Sequence, residues 1–190
     1  ADVAVVQQGA RNAQDGISML QTMEGAMATI DEALIRMKEL AEQASTGSYS
    51  TQQRNIMNAE FQEMINEIDR IATTTTFNSV GMLDSATGSN IIHFGSGSSI
   101  EVYSVDIRST ALGLTTADIS TAAGAMSALD IVTSAIQTKD SARSSFGYMM
   151  NRIESTSDVL SIQAENLLAA ESRISEVDVA TEMATLTRNQ

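Results

Sequence analysis

Histidine and cysteine, two side chains that enzymes often use for acid–base and nucleophilic chemistry, are scarce in this chain. Among its 190 residues there is one histidine, His93, and no cysteine, so cysteine nucleophiles, disulfides and thiolate metal sites are excluded. A catalytic triad or a zinc site normally needs more such residues. His93 stands beside Phe94 in a stretch rich in β-branched residues, where a partly exposed histidine is favoured over a base or a ligand. A small helical enzyme using His93 remains as the alternative of another class.

The other polar groupings do not assemble a reaction centre either. Glu63, Glu67 and Asp69 follow one another on a helical pattern, whereas paired acid–base catalysis needs opposed groups in a cleft. The segment "GSGSS" at residues 95–99 lacks the lysine and the following helix of a phosphate-binding loop. The sequence therefore predicts a solvated acidic face, a turn, and no catalytic, cofactor-binding or metal-binding residue.

One group of side chains on two helices has no obvious structural role. Arg36 and Leu40 are four residues apart beside an apolar helix face, and Glu60 has the corresponding place on a second helix. In the plain interpretation, Glu32 pairs with Arg36 at the i,i+4 spacing and Leu40 widens the core. The residues by themselves leave that interpretation and a binding patch equally open.

Charge and composition narrow the possible partners. The net charge is -13, and the basic residues are scattered, so the chain repels a phosphate backbone and nucleic acid is not an expected partner. No apolar run approaches the roughly 20 residues of a membrane-spanning helix. Aromatic residues make up 4% of the chain, which suits thin contacts between helices better than a thick core.

The elements that must position these side chains begin with two helices. Apolar residues spaced alternately three and four apart form a seam typical of a coiled coil. This first seam consists of Ala13, Gly16, Leu20, Met23, Met27, Ile30, Leu34, Met37, Ala41 and Ala44. Gly47 ends it, "SYST" introduces a second helix, and the second seam consists of Met57, Phe61, Met64, Ile68 and Ile71. We expect helices over residues 1–46 and 50–73, antiparallel because their connection is short.

The pattern changes from Thr73 onward. Short β-branched runs broken by "SATGS" and "GSGSS" predict a β-hairpin region over residues 77–108, with a bulge near Val102. A capping-box entry at Thr115 to Asp118 then predicts C-terminal helices over 115–190. Their seam is expected at Ile119, Ala122, Met126, Leu129, Thr133, Ile136, Phe146, Met149, Ile153, Leu160, Leu167, Ile174 and Val177, with a phase shift near residues 139–145.

These elements predict a mainly α fold, an elongated rod of long antiparallel coiled-coil-like helices with a small β-hairpin region. Seven of the methionines lie on the predicted seams, which indicates a core-filling role. No capping residue ends the last helical pattern and the first residues already suit a helix. We therefore expect the chain to be a core segment of a longer protein, with its two ends side by side.

Three long blocks of this sequence resemble bacterial flagellin, in the same order. They are "RNAQDGISMLQTMEGAMATIDEALIRMKELAEQAS", "NEIDRIATTTTFNSVGML" and "ESRISEVDVATEM". The resemblance covers nearly the whole chain. Departures are "FGYMMNR", where the family more often has a Leu-Gly opening, and Ser175 in place of a usual acidic residue.

The resemblance implies a structural role. It implies an outer-tube core domain, over residues 1–190, of an extracellular, secreted filament protein that forms a homopolymer when full length, without its inner-tube segments and without a large variable outer domain. It also implies recognition by the flagellin-sensing Toll-like receptor of vertebrates through a segment similar to "IRMKELAEQ". The implied receptor-binding residues are Arg36, Leu40, Glu60, Ile35 and Glu63. A hook–filament junction protein is the alternative of the same class, although "RMKEL" favours flagellin.

Overall fold

The computed structural model describes residues 3–95 and 97–189. The elements are helix α1 (Val3–Ala44), helix α2 (Thr51–Thr74), strands β1 (Thr76–Phe77), β2 (Val80–Gly81), β3 (Ser89–His93) and β4 (Ser99–Tyr103), and helix α3 (Ala122–Asn189). The chain is thus mainly α with a small β-hairpin region, as predicted. The two end residues, which we expected to be adjacent, lie outside the described residues.

The described residues divide into two compact units. The first unit comprises residues 3–17, 92–95, 97–100 and 151–189, and the second comprises residues 18–91 and 101–150. Each unit contains part of α1, part of α3 and part of the β3–β4 hairpin. The second unit holds α2 and the pair of strands β1 and β2 as well.

The seam predicted for α1 is confirmed, because each of its residues is buried. Met27, Ile30, Leu34 and Met37 have no exposed surface. A methionine side chain is flexible and fills irregular space between helices, and this accounts for a core with little aromatic content. Within the second unit α1 therefore supplies many of the large apolar side chains of the core.

The connection between α1 and α2 is stabilised at both helix ends. Ser50 caps α2: its Oγ accepts a hydrogen bond from Gln53 N at 3.1 Å, and Gln53 Oε1 accepts from Ser50 N at 2.8 Å. This reciprocal pair is a capping box. Arg54 donates to the carbonyl of Ala44 at 2.9 Å and to that of Tyr49 at 2.7 Å, so it satisfies backbone acceptors left free at the end of α1.

Helix α3 begins later than the sequence predicts, at Ala122 instead of residue 115. Asp118 does not cap it; this carboxylate accepts hydrogen bonds from Ser120 N at 2.8 Å and from Asn58 Nδ2 at 3.3 Å. The amide oxygen of Asn58 in turn accepts from Ile119 N at 3.1 Å. These bonds hold the segment before α3 against α2, and they compete with an early start of the helix.

The seam predicted for the first part of α3 is wrong by about one position. Met126, assigned to the core, is 61% exposed, and the buried residues are Ala125, Ala128, Val132 and Ala135. Small side chains on α3 face a core in which α1 supplies methionine and leucine, and such a combination of large and small residues fills the space between helices. The expected phase shift is also absent from α3, because the buried positions continue at seven-residue spacing through Phe146, Ile153 and Leu160.

Beyond residue 160, α3 has little tertiary contact with the described part of the chain. Ile174 and Val177, which were predicted to be seam residues, are 63% and 64% exposed. The heptad pattern of these residues is therefore present in the sequence, but no described helix covers it. Among residues 3–95 and 97–189, no helix combines the length and the apolarity needed to cross a membrane.

The β region consists of two separate antiparallel ribbons. Phe77 pairs with Val80 across a two-residue turn in which Asn78 and Ser79 have φ of 50° and 63°, the geometry that right-handed strand twist favours in a tight hairpin. The bulge expected near Val102 does not occur within Ser99–Tyr103, where burial alternates regularly. The buried side chains shift from even-numbered to odd-numbered residues only after β4 ends, between Ser104 and Ile107.

In the first unit, the tip of the β3–β4 hairpin lies against α1. Asn12 donates to the carbonyl of His93 at 2.8 Å. A Cβ at Gly9 would lie 2.4 Å from the carbonyl oxygen of Phe94, so a glycine is required for this close approach. Gln14 on α1 donates to Ser157 Oγ on α3 at 3.0 Å.

Candidate functional site

Arg36 and Glu60 form the best-defined polar contact on the surface of α1 and α2. Arg36 Nε lies 2.8 Å from one carboxylate oxygen of Glu60, and Arg36 Nη2 lies 3.0 Å from the other. This two-point geometry matches the planar guanidinium to the planar carboxylate. Arg36 also reaches Glu39 at 3.4 Å. The sequence placed these residues on facing flanks, but the partner suggested for Arg36 was Glu32, and the structure corrects that pairing.

Leu40 does not belong to the exposed part of this patch. It is 1% exposed, so its side chain contributes to the core, as the plain interpretation of the sequence held. Ile35 is 45% exposed, and Glu63 is exposed on α2. The structure therefore offers Arg36, Glu60, Ile35 and Glu63 to solvent, and we call these four residues the α1–α2 patch.

The ion pair changes the titration of both groups. The hydrogen bond from Arg36 lowers the pKa of Glu60, and the bond to Glu60 raises the pKa of Arg36. Both side chains remain more than two-fifths exposed, at 43% for Arg36 and 42% for Glu60. Solvent screens such a pair, so it contributes little to stability, and its charged atoms are accessible to a binding partner.

The side chains considered for chemistry do not converge on a reaction centre. His93 is exposed at the end of β3. Glu67 pairs with Arg70 on the same helix, while Asp69 accepts hydrogen bonds from Ser109 N at 2.8 Å and Ser109 Oγ at 2.7 Å. Among the described residues, no cluster of three or more histidine, cysteine or carboxylate side chains could hold a metal ion. Asp69 thus holds a loop in place, a role that its sequence position did not reveal.

A charged cluster in the core of the second unit was missed by the sequence analysis. Lys139 on α3 is 2% exposed, and its ammonium group contacts the carboxylates of Asp31 on α1 and of Asp140. One turn further along α3, Arg143 Nε lies 2.9 Å from Glu24 Oε1, and Arg143 Nη1 lies 3.9 Å from Asp31. The signal that could have found it is the seven-residue spacing of Lys139 from apolar neighbours on the same helix face.

Lys139 remains charged in this setting. Burial by itself would lower the pKa of its ammonium group, but hydrogen bonds and attraction to Asp140 and Asp31 raise it overall. Arg143 also has its pKa raised, mainly by its hydrogen bond to Glu24. The cluster is therefore ionic. It links α1 to α3, and Lys139 is its one fully buried member.

Two family profiles cover most of the chain. The bacterial flagellin N-terminal helical region matches residues 1–87, and the bacterial flagellin C-terminal helical region matches residues 129–190. A flagellin of Halalkalibacterium halodurans is 38% identical over 192 residues, which cover 99% of this chain and 71% of that protein. The chain belongs to the flagellin family. Flagellins are structural proteins and not enzymes, so the alternative of an enzyme using His93 is wrong.

Further comparisons describe the flagellin-family relatives in sequence and in structure. A flagellar filament 30.7 kDa core protein of Treponema maltophilum is 33% identical over 96% of this chain and 70% of its own length. The crystal structure of Bacillus cereus flagellin superimposes with a TM-score of 0.72 at 29% identity, over 85% of this chain and 94% of that one. A putative flagellar hook-associated protein from Vibrio parahaemolyticus gives a TM-score of 0.73 at 13% identity, over 92% of both chains. At that identity it shares the fold alone.

Proposed function

We propose that this chain is a structural subunit of the extracellular bacterial flagellar filament, which polymerises through contacts between helices of neighbouring copies. The observation that carries the proposal is that two flagellin helical regions together match residues 1–87 and 129–190. The long helices and the absence of a reaction centre among the described residues suit such a role. The alternative of a hook–filament junction protein has weaker support, because the hook-associated neighbour is 13% identical while the Halalkalibacterium flagellin is 38% identical.

A chimaera tests this assignment. The matched segment of the Halalkalibacterium halodurans flagellin is replaced by this chain, and the gene is expressed in a bacterium without its own flagellin. We expect filaments on the cell surface in negative-stain electron microscopy. A chimaera carrying Met27→Asp, which disrupts the core, serves as the control that is expected to form none. A folded and exported chimaera with no filaments would contradict the role as a filament subunit.

The α1–α2 patch supports a second proposal, recognition of the free subunit by the flagellin-sensing Toll-like receptor of vertebrates. This proposal rests on the resemblance of "IRMKELAEQ" to the receptor motif and on the exposed Arg36–Glu60 pair. An arginine beside an exposed apolar residue is a composition typical of binding hot spots. Because Leu40 is buried, Ile35 is the apolar residue of the patch that a receptor would contact.

A binding titration with matched charge reversals tests the recognition proposal. Arg36→Asp is expected to weaken receptor binding by about 2 kcal/mol or more, the hot-spot threshold, and to leave the melting temperature nearly unchanged. Arg70→Asp is the control, since Arg70 is another exposed, ion-paired arginine outside the patch. If the wild type and a folded Arg36→Asp variant bind the receptor with equal affinity, the patch is an ordinary solvated helix surface and the recognition proposal is wrong.

A further inference from the structure

Apart from Ser157, the buried residues of α3 form two rows with seven-residue spacing. One row contains Ala125, Val132, Lys139, Phe146, Ile153 and Leu160, and the other contains Ala128, Ala135 and Ala142. All of these residues are buried, and Lys139 is the one charged member. In coiled coils, a single lysine or asparagine at a core position of the heptad is known to select one alignment of the helices at some cost in stability.

The alanine row of this face does not discriminate between alignments. A slide of α3 by one heptad replaces Ala135 with Ala128 or Ala142, which is the same residue type. On the α1 side, Met23, Ile30 and Met37 also recur every seven residues. The other row does change in size, because Phe146 would be replaced by Ile153 or by Lys139. The flexible methionines of α1 adapt to part of such a change, so packing by shape alone specifies the alignment incompletely.

We propose that Lys139 is a positioning residue that selects the alignment of α1 with α3, with Arg143 as its second contact. On α1 the two acceptors, Glu24 and Asp31, are seven residues apart, and Arg143 and Lys139 lie one turn apart on α3 opposite them. Asp140 lies on α3 itself and moves with Lys139, so it neutralises the ammonium group without affecting the alignment.

A slide by one heptad in either direction breaks this match. In one direction Lys139 would leave Asp31 and face Lys38, where two like charges repel each other. In the other direction Lys139 would face Glu24, and Arg143 would move along residues 16–23, which contain no carboxylate. Each slide therefore removes one of the two charged contacts that join α3 to α1: the Lys139 contact in the first direction and the Arg143 contact in the second. Loss of the α1 partner of a buried charge such as Lys139 is destabilising.

Stability alone does not explain a buried ion pair at this position. Replacement of such pairs by apolar residues of similar volume is often neutral or stabilising. The cluster at Lys139 is therefore expected to contribute specificity of alignment more than free energy of folding, and these two contributions can be measured separately.

The experiment measures the alignment directly by double electron–electron resonance. The chain has no cysteine, so Thr22→Cys on α1 and Ser134→Cys on α3, both at exposed positions, provide two spin labels without side reactions. The test variants are Asp31→Leu with Lys139→Met, and these two changes combined with Glu24→Gln and Arg143→Met. Glu67→Gln with Arg70→Met removes an exposed ion pair elsewhere and is the control.

We expect one narrow distance distribution for the unaltered core and for the control. The fourfold variant is expected to show an additional population displaced by about 10 Å, the length of one heptad along a helix axis, and the double variant a smaller one. Melting temperatures of both variants should be equal to or above that of the parent. A folded fourfold variant with a single unchanged distribution would overturn the proposal. So would loss of folding in both variants, because the cluster would then supply stability and not alignment.

Discussion

At the scale of single residues, the burial of a side chain decides how much a substitution changes the stability of the fold. Met27 is fully buried, whereas Arg36 is 43% exposed beside Glu60. A charge placed without a partner between tightly packed helices costs several kcal/mol, out of a typical total stability of about 5 to 15 kcal/mol. An exposed ion pair contributes about 1 kcal/mol or less.

Met27→Asp is therefore expected to unfold the protein or nearly so, and Arg36→Ala to change the free energy of unfolding by no more than about 1 kcal/mol. Urea denaturation followed by circular dichroism measures both variants under the same conditions. Similar losses of stability in the two variants would show that the α1 seam has been assigned to the wrong face.

The Arg36–Glu60 pair also has a defined dependence on pH. Because the pKa of Glu60 is lowered in the folded protein, its contribution to stability is present above the ordinary carboxyl pKa of about 4.3. It is lost as the pH falls through the lower folded value. In an NMR titration, the Glu60 midpoint should rise in Arg36→Gln. Coincident Glu60 midpoints in the two proteins would show that the ion pair does not form in solution.

At the scale of elements, helix boundaries are set by local hydrogen bonds. The sequence "SYST" correctly predicts the start of α2, where Ser50 and Gln53 form the capping box. The same reasoning fails at Thr115 to Asp118, because Asp118 bonds to Ser120 and Asn58. The contact with Asn58 is a long-range one, which no local motif encodes.

Removal of the α2 cap gives a prediction at this scale. Ser50→Ala is expected to lower the free energy of unfolding by about 1 kcal/mol, the usual contribution of an N-cap side chain. Ser48→Ala, in the same connection but outside the capping box, is the matched control and should change stability by a few tenths at most. Equal urea midpoints for Ser50→Ala and Ser48→Ala would argue against the cap.

At the scale of the whole molecule, local patterns predict the class of fold better than the details of packing. The heptad seam of α1 has large side chains, and its burial follows from the sequence alone. In the first part of α3 the larger Met126 is exposed while Ala125, Ala128 and Ala135 are buried, because α1 supplies large side chains to the same core. The burial of Lys139 could not be predicted, because its partner Asp31 lies on α1, far away in the sequence.

In the candidate site, too, some features could be predicted from the sequence and others could not. The proximity of Arg36 and Glu60 could be predicted, because a short connection makes α1 and α2 neighbours. Burial of Leu40 could not be predicted with equal certainty, because its place on the edge of the seam suits either the core or the surface. The resemblance to flagellin depends on long blocks of residues. The identities of these residues indicate the family even where the sequence does not predict how they pack.

The assignment of this chain to a flagellar filament is tested most directly by a cryo-electron microscopy reconstruction of filaments made by the Halalkalibacterium chimaera. We expect every subunit in the helical lattice to contain density for α1, α2 and α3 with the contacts Arg36–Glu60 and Lys139–Asp31. We also expect contacts between helices of adjacent copies. Export of the folded chimaera without filaments, or filaments whose subunits lack these helices, would contradict the assignment.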